Sequence, residues 1–600
     1  MLNSTNLNDS CIFESKASCE SFVDLGRFYA EKMADQPFLT WLEDGKLESH
    51  SFTFGQLDKE ARALAATLRL TLNKSKHSDT QPEAYPAALI ATKPGPSFVV
   101  AFFGCLYAGI AAVPIPSLKK QGNSKQILPF LNNSEAKIIV ADEESASLIE
   151  NHGDAVNVRL DGVDISFADD WQSPNIDGDT VAFVQYTSGS TGNPKGVVVT
   201  HRNLMSNQQM LAEAFNHSES TIIVSWLPVF HDMGLIGNLL QAFYVGIPCI
   251  LMSPQAFIAY QIRWLEAISK YKATTSGAPN FAYDLCVSRT TEAQREGLDL
   301  SSWTVAFNGS EPIRADTITK FTETFADCGF EKETMYPCYG MAEGTLFATG
   351  SPHDQAPTML IVDKDELNFD RILVIEPLSE ENANTITLVS SGITYQDCDT
   401  RIVCPNEFGQ LADNQVGEVW ISSASVASGY KNQKALSVET FQATIKNCDQ
   451  GKTFLRTGDL GFIHKQQLYI TGRKKDLIII SGRNHYPQDI ESTATKSHVG
   501  IAGCQAVAFS IDTDNTECLV VMLYINARLI KKIDLEGVIQ CVKRNIAKEH
   551  QISLHDLIIT ETRLPLTSSG KIQRAKSKQM YLHGGYDVTY EMKNKDIKNG

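Results

Sequence analysis

VAFVQY (Val181–Tyr186), then TSGSTGNPKG (Thr187–Gly196), then VVVT (Val197–Thr200) is the stretch on which the fold turns. The β-branched and aromatic residues before the loop predict a strand, and those after it predict another. The small residues between them let backbone N–H groups come close to an anion. The hydroxyls add donors, and Lys195 adds a positive point charge. This is not a Walker A loop: GxxxxGK[ST] is not matched, and the chain leaves as strand rather than helix.

Outward from this loop, β-rich runs at Ala87–Ala91, Lys137–Ala141, Ile222–Leu227 and Cys249–Met252 alternate with apolar helical patterns, which predicts α/β layers. Ser97–Leu118 and Met233–Gln255 carry no charge and are long enough to span a bilayer. Their glycines and terminal prolines instead predict buried helices running into core strands. No transmembrane segment is expected, which leaves room for peripheral membrane contact. Asn73–Pro86 is polar and reads as a loop. A second alternating region begins after Lys475: Leu477–Ile480, Ala506–Ser510, Leu519–Ile525, a helix near Leu535–Lys548, then Asp556–Ile559. It predicts a small α+β domain, joined through the charged junction GRKKDL (Gly472–Leu477), which suits a hinge. The expected organisation is a large domain over 1–474, a small mobile domain over 475–590 and a tail over 591–600.

Six hundred residues exceed what one core needs. A net charge of −17 argues against nucleic acid as a partner. The charge is uneven: from Arg473 onward the net is +5, against −22 before it, which suits phosphate chemistry or an acidic protein partner. The 13 cysteines form no CxxC pair and no zinc-spaced cluster. They read as reduced thiols. With no basic n-region leading into an apolar run, a cytoplasmic location is expected.

The string YTSGSTGNPKG resembles the signature loop of the adenylate-forming superfamily, which includes acyl-CoA synthetases, nonribosomal adenylation domains, luciferases and fatty acyl-AMP ligases. Further segments resemble the family's other motifs, in order. WLPVFHDMGL (Trp226–Leu235) is similar to the acyl-pocket segment with its gating histidine, His231. NGSEPI (Asn308–Ile313), with Gly309, Ser310, Glu311 and Pro312, resembles the adenine-binding turn. CYGMAEGT (Cys338–Thr345) matches the segment whose aromatic, Tyr339, stacks on adenine beside Gly340 and Met341, and whose Glu343 holds Mg²⁺. RTGDLG (Arg456–Gly461) supplies Asp459 for the ribose. GRKKDLIIISGRNHYPQDIE (Gly472–Glu491) contains Arg473 and the hinge residue Lys475, and LPLTSSGKIQR (Leu564–Arg574) places Lys571 at the catalytic lysine. The resemblance implies ATP and Mg²⁺ as cofactors, with Thr187, Ser188, Thr191 and Lys195 on the β- and γ-phosphates.

The chemistry is consistent with these residue types. A carboxylate is already ionised at neutral pH, so the difficulty is bringing it to an equally anionic α-phosphate. Positioned cations answer that need. Asp459 could equally serve a turn, Tyr339 a core, and Lys571 a solvated loop.

Two features resemble the fatty acyl-AMP ligases, which pass the acyl group to a carrier. One is ISGRNHYPQDIE together with SGAPNFAYDLC (Ser276–Cys286). The other is Asp365–Val389, which is similar to the subfamily's insertion, thought to restrain the C-terminal domain and disfavour CoA. The acyl wall is expected from Met233, Gly234, Leu235, Ile236, Gly277, Ala278 and Pro279, with no aspartate evident to hold an amino acid's amine. The partner implied is an acyl carrier protein or polyketide synthase in trans, with Lys571, Arg574, Lys576 and Lys578 as a candidate docking face. The alternatives are a fatty acyl-CoA ligase, an amino-acid adenylating enzyme and a non-catalytic nucleotide-binding relative.

Overall fold

The strand, loop and strand around the Gly/Ser stretch form a hairpin, Val181–Thr187 against Lys195–Thr200, with Thr187 opposite Lys195. In this computed structural model, residues 18–75, 85–118, 126–149, 155–187, 194–376, 384–396, 398–447, 451–513, 516–567 and 570–593 are described. Ser188 and Thr191 lie outside them, as do residues 594–600 of the expected tail.

The hairpin belongs to a seven-stranded sheet, ordered Gly429–Tyr430, Lys195–Thr200, Val181–Thr187, Ala111–Pro114, Ala87–Ala91, Ile138–Ala141 and Val156–Arg159. A nine-stranded sheet has the spatial order Ile393–Thr394, Phe347–Gly350, Met335–Gly340, Val305–Asn308, Thr275–Ala278, Ile223–Ser225, Cys249–Met252, Pro37–Leu42 and Glu48–Thr53. Its middle strands pair in parallel, so helices must cover both faces, and the strands read as unbroken apolar runs for that reason. A four-stranded antiparallel sheet, with Leu455–His464 paired to Gln467–Arg473, completes the large domain.

Both uncharged runs enter the core. Pro96–Ala108 is a helix buried on every side from Phe98 to Ala108. It ends at Gly109 in the left-handed conformation, which lets the chain turn straight into Ala111–Pro114. Each large apolar side chain buried here contributes about 1.5–3 kcal/mol, which outweighs the helix's all-round hydrophobicity as a hazard in water. Within the second run, Leu235–Leu240 is a π-helical turn that leads through Gln241–Val245 to Cys249–Met252. No helix among the described residues is long and apolar enough to cross a membrane.

After the 3₁₀ turn Lys474–Asp476 comes the smaller domain. It contains a four-stranded sheet of Gln505–Thr513, Thr516–Tyr524, Leu554–Thr560 and Val588–Lys593, backed by the helices Pro487–Lys496 and Leu535–His550. It has its own apolar core, built on Ile490, Val521, Leu523, Val542 and Ile546. The last strand was not expected from the sequence. Its run VTYEMK alternates, but it lies in a charged tail.

The Asp365–Val389 segment begins inside a hairpin. Met359–Asp363 pairs with Thr385–Val389, and a short helix, Lys364–Leu367, follows the first strand. Leu360, Val362 and Leu367 pack with Leu460, Phe462, Tyr469 and Tyr486, so the insertion shares a core with both domains. Asn73, expected in a loop, instead continues the helix Phe54–Ser75.

Candidate active site

The motif residues converge where the large domain meets the small one. Lys195 begins its strand with its Nζ 5.0 Å from the centre of the Tyr430 ring. The Tyr430 hydroxyl donates to Glu343 Oε1 at 2.8 Å. Burial pushes the Glu343 pKa up, opposed chiefly by that hydrogen bond.

The CYGMAEGT turn is shaped by backbone contacts. A Cβ on Gly340 would lie 1.8 Å from the Leu346 carbonyl oxygen, and the Met341 N–H donates to that same carbonyl at 2.8 Å. Only glycine fits there. A Cβ on Gly309 would sit 3.0 Å from Cys338 O, and Ser310 adopts φ 70°, so the NGSEPI turn is bent tightly against the same strand. The Glu311 carboxylate accepts the Phe281 N–H at 2.6 Å, whereas Pro312 is exposed.

Asp459 is not a turn residue. It is buried within Leu455–His464, paired across the ladder with Arg473. Its Oδ2 accepts the Tyr339 hydroxyl at 2.8 Å, and its Oδ1 lies 3.1 Å from Arg473 Nε. Tyr339 is thus tied to a carboxylate rather than lost in a core.

From the small domain, half-buried Lys571 reaches this cleft. Desolvation lowers its pKa, and Asp232, then Glu311, oppose that. For Asp232, burial acts upward, but His231 and Lys571 outweigh it and hold the carboxyl low. Glu311 is pushed up by burial, with Lys571 pulling against it. His231 Nδ1 lies 2.5 Å from Asp232 Oδ1, so these two neighbours act as a pair. Lys475, the expected hinge residue, lies in the 3₁₀ turn Lys474–Asp476. Desolvation, then the adjacent Arg473, lowers its pKa.

Sequence reasoning missed Tyr430 and Asp232. HDMG contained Asp232, yet nothing in the sequence said that a lysine more than 300 positions away would face it. One expectation is corrected. Arg574 is not available for docking: it donates to Asp476 Oδ2 (2.9 Å), Glu491 Oε1 (2.7 Å) and the Ala508 carbonyl (2.9 Å). Among the wall candidates, Gly277 packs closely on its neighbouring strand, where a Cβ would meet Phe307 O at 2.2 Å. Of the other wall candidates, Met233, Leu235, Ile236 and Ala278 are buried, beside an aromatic cluster in which Trp226 stacks on Phe257 at 3.9 Å.

Comparison with known proteins decides the family. A family model described as AMP-binding enzyme matches residues 27–431, and one described as Disco-interacting protein 2-like, AMP domain, matches 475–591. The medium-chain-fatty-acid–[acyl-carrier-protein] ligase JamA of Moorena producens is 36% identical over 585 residues, 96% of this chain and 97% of JamA. The chain belongs to the AMP-binding enzymes, in their fatty acyl-AMP ligase branch. A solved fatty acid AMP ligase from Legionella pneumophila is 37% identical, with a TM-score of 0.74 over 97% of this chain and 99% of that one. A Legionella fatty acyl-adenylate ligase in complex with acyl adenylate and pyrophosphate is similar at 36% identity and TM-score 0.74, over 97% and 99% of the two chains. These matches run through both domains.

Proposed function

We propose that this chain activates a fatty acid with ATP and hands the acyl group to the phosphopantetheine thiol of an acyl carrier protein or polyketide synthase acting in trans. The observation that carries this is Lys571, set by the small domain (475–590) into the cleft of the large one (1–474), beside Asp232 and Glu311. A cation there meets both anionic reactants.

In the first step a carboxylate oxygen attacks the α-phosphorus and pyrophosphate leaves. No base is needed, so the work is positioning and charge neutralisation. Lys195 and Thr187, with Ser188 and Thr191, hold the β- and γ-phosphates. Tyr339, on the Gly309–Pro312 and Gly340–Met341 framework, takes the adenine, and Asp459 with Arg473 takes the ribose. Lys571 steadies the carboxylate and the α-phosphate. Glu343 is a half-buried carboxylate held by Tyr430 beside Lys195, and that fits Mg²⁺, which takes one or two carboxylates and completes its shell with phosphate and water. When bound, the ion neutralises charge on the departing pyrophosphate. In the second step the carrier thiol attacks the acyl carbonyl, gives up its proton and releases AMP; rotation at Lys475 frees the cleft for it.

Carrier rather than CoA is supported by contacts between the insertion and the small domain. Lys364 Nζ donates to the Glu549 carbonyl at 2.7 Å, Arg483 lies over the Phe369 ring at 5.6 Å, and the Asn484 N–H donates to Asn368 O at 2.9 Å. The cysteines, scattered and without a disulfide among the described residues, suit a cytoplasmic enzyme. The test offers the native chain a fatty acid, MgATP and either CoA or a holo carrier. Acyl-carrier formation with little acyl-CoA is expected. Abundant acyl-CoA would overturn the acceptor, and no acid-dependent pyrophosphate release would overturn the activity.

A further inference from the structure

Residues 424–431 bind two parts of the site that lie far apart in sequence. Toward the phosphate loop, Gly429–Tyr430 pairs with Val197–Val198, the Lys431 N–H donates to Gly196 O at 2.8 Å, and the Ser428 N–H donates to Val198 O at 3.0 Å. Toward the Glu343 turn, the Ala427 N–H donates to Glu343 O at 3.0 Å, and the Thr345 hydroxyl donates to Ser425 O at 2.5 Å. Asn203, on the helix after the loop hairpin, donates to the Ala424 and Val426 carbonyls at 3.0 and 2.9 Å. Tyr430 stands in the middle, buried to 9% exposure. Its hydroxyl holds Glu343 Oε1, its ring lies under Lys195 Nζ, and its own N–H is fixed by Ser437 Oγ at 2.8 Å.

We propose that Tyr430 is a positioning residue for metal-bound ATP: its hydroxyl orients the Glu343 carboxylate, and its ring aligns Lys195 beside it. The proposal rests on the function argued above, with Glu343 toward the metal and Lys195 toward the phosphates. One carboxylate oxygen is engaged by Tyr430, which leaves the other directed by it. A carboxylate fixed in one rotamer binds a cation without first losing rotational freedom. A Lys held over an aromatic face is likewise poised without a competing carboxylate to neutralise it.

Tyr430→Phe removes the hydroxyl and keeps the ring, so its fold and the Lys195 contact are retained. The experiment measures calorimetric binding of ATP across a Mg²⁺ titration, without fatty acid, for the native chain, Y430F, E343Q and the double variant. Pyrophosphate exchange then gives KM for fatty acid in the native chain and Y430F. The expected result is an increase of about tenfold in the Mg²⁺ needed for half-maximal ATP binding by Y430F, the size of one hydrogen bond to a charged group. The KM for fatty acid should stay within about twofold, and Y430F should add less than about twofold in the E343Q background, because coupled residues are non-additive. An unchanged Mg²⁺ midpoint in Y430F would overturn the proposal, as would an equal effect with and without Glu343 or a parallel loss of fatty-acid binding. A native chain that binds no ATP at any Mg²⁺ concentration would instead overturn the functional reading beneath it.

Discussion

Arg574→Ala separates two uses of a basic residue near Lys571. As part of a docking face, Arg574 would matter only when a carrier arrives. The geometry assigns it elsewhere: its three donors are spent on Asp476 in the 3₁₀ turn Lys474–Asp476, Glu491 on the helix Pro487–Lys496, and the Ala508 carbonyl in the edge strand Gln505–Thr513. Its side chain is 18% exposed, and those of Asp476 and Glu491 are 22% and 16% exposed. Truncation strands two half-desolvated carboxylates and one carbonyl. Removing one partner of a buried pair costs about 3–5 kcal/mol, and the partial exposure here puts the value near the lower end. About 3 kcal/mol corresponds to roughly a hundredfold change in an opening equilibrium.

The small domain contains no tryptophan, so hydrogen exchange resolved by peptide is the suitable assay. Amides of Gln505–Thr513 and Pro487–Lys496 should exchange about a hundredfold faster in Arg574→Ala, while those of the nine-stranded sheet stay unchanged. Because Arg574 lies three residues from Lys571, adenylation should fall with the loosened arm. Arg574→Lys keeps the charge but not the three-way fork, and should lie between the two. Native exchange and native adenylation, with only carrier transfer slowed, would refute the clamp and restore docking.

Other tests are briefer. Lys576→Glu with Lys578→Glu changes charges outside the cleft contacts described above, Lys576 being exposed, and should slow carrier transfer but not adenylation; equal transfer rates would remove this face from docking. The lowered Lys571 pKa means that the ammonium is lost at a lower pH than in a free lysine, so adenylation should fall on an alkaline limb below about 10.4, which Lys571→Arg should move upward. Gly340→Ala forces a methyl onto the Leu346 carbonyl and should cost about 1–3 kcal/mol in thermal unfolding while raising KM for ATP. Burial depresses His217 and His550 to about 3, so each must stay neutral in the folded state. The unfolded chain then binds the extra protons below about pH 6.5, and stability should decline from there toward acid, less steeply in His550→Asn.

Much of this molecule was legible because local patterns and global fold agree. Ala87–Ala91 and Cys249–Met252 are strands with the bounds their apolar runs suggest, and Leu535–His550 extends the expected helix by only two residues. The motif loops were legible as chemistry because small residues, hydroxyls and positive charges must sit together around phosphates. What was hidden depends on distance in sequence. Asp459 reads as a turn until its ladder partner proves to be Arg473. Arg574 reads as solvated charge until the hinge turn and the helix after it supply two acids.

The insertion illustrates how that difference alters an experiment. Read as sequence, Asp365–Val389 invites deletion as the test of acceptor choice. In the fold, Leu367, Ile386 and Leu388 lie in one cluster with Leu460, Phe462 and Tyr486, so deletion would expose the core beside Asp459 as well as release the small domain. Gain of CoA transfer and loss of adenylation would then be confounded. The contacts at the edge are separable from that core: Lys364 and Arg483 each reach across through a side-chain tip, to the Glu549 carbonyl and to the Phe369 ring. Acceptor choice is therefore open to test at two side chains without disturbing the hairpin that supports the adenylating site.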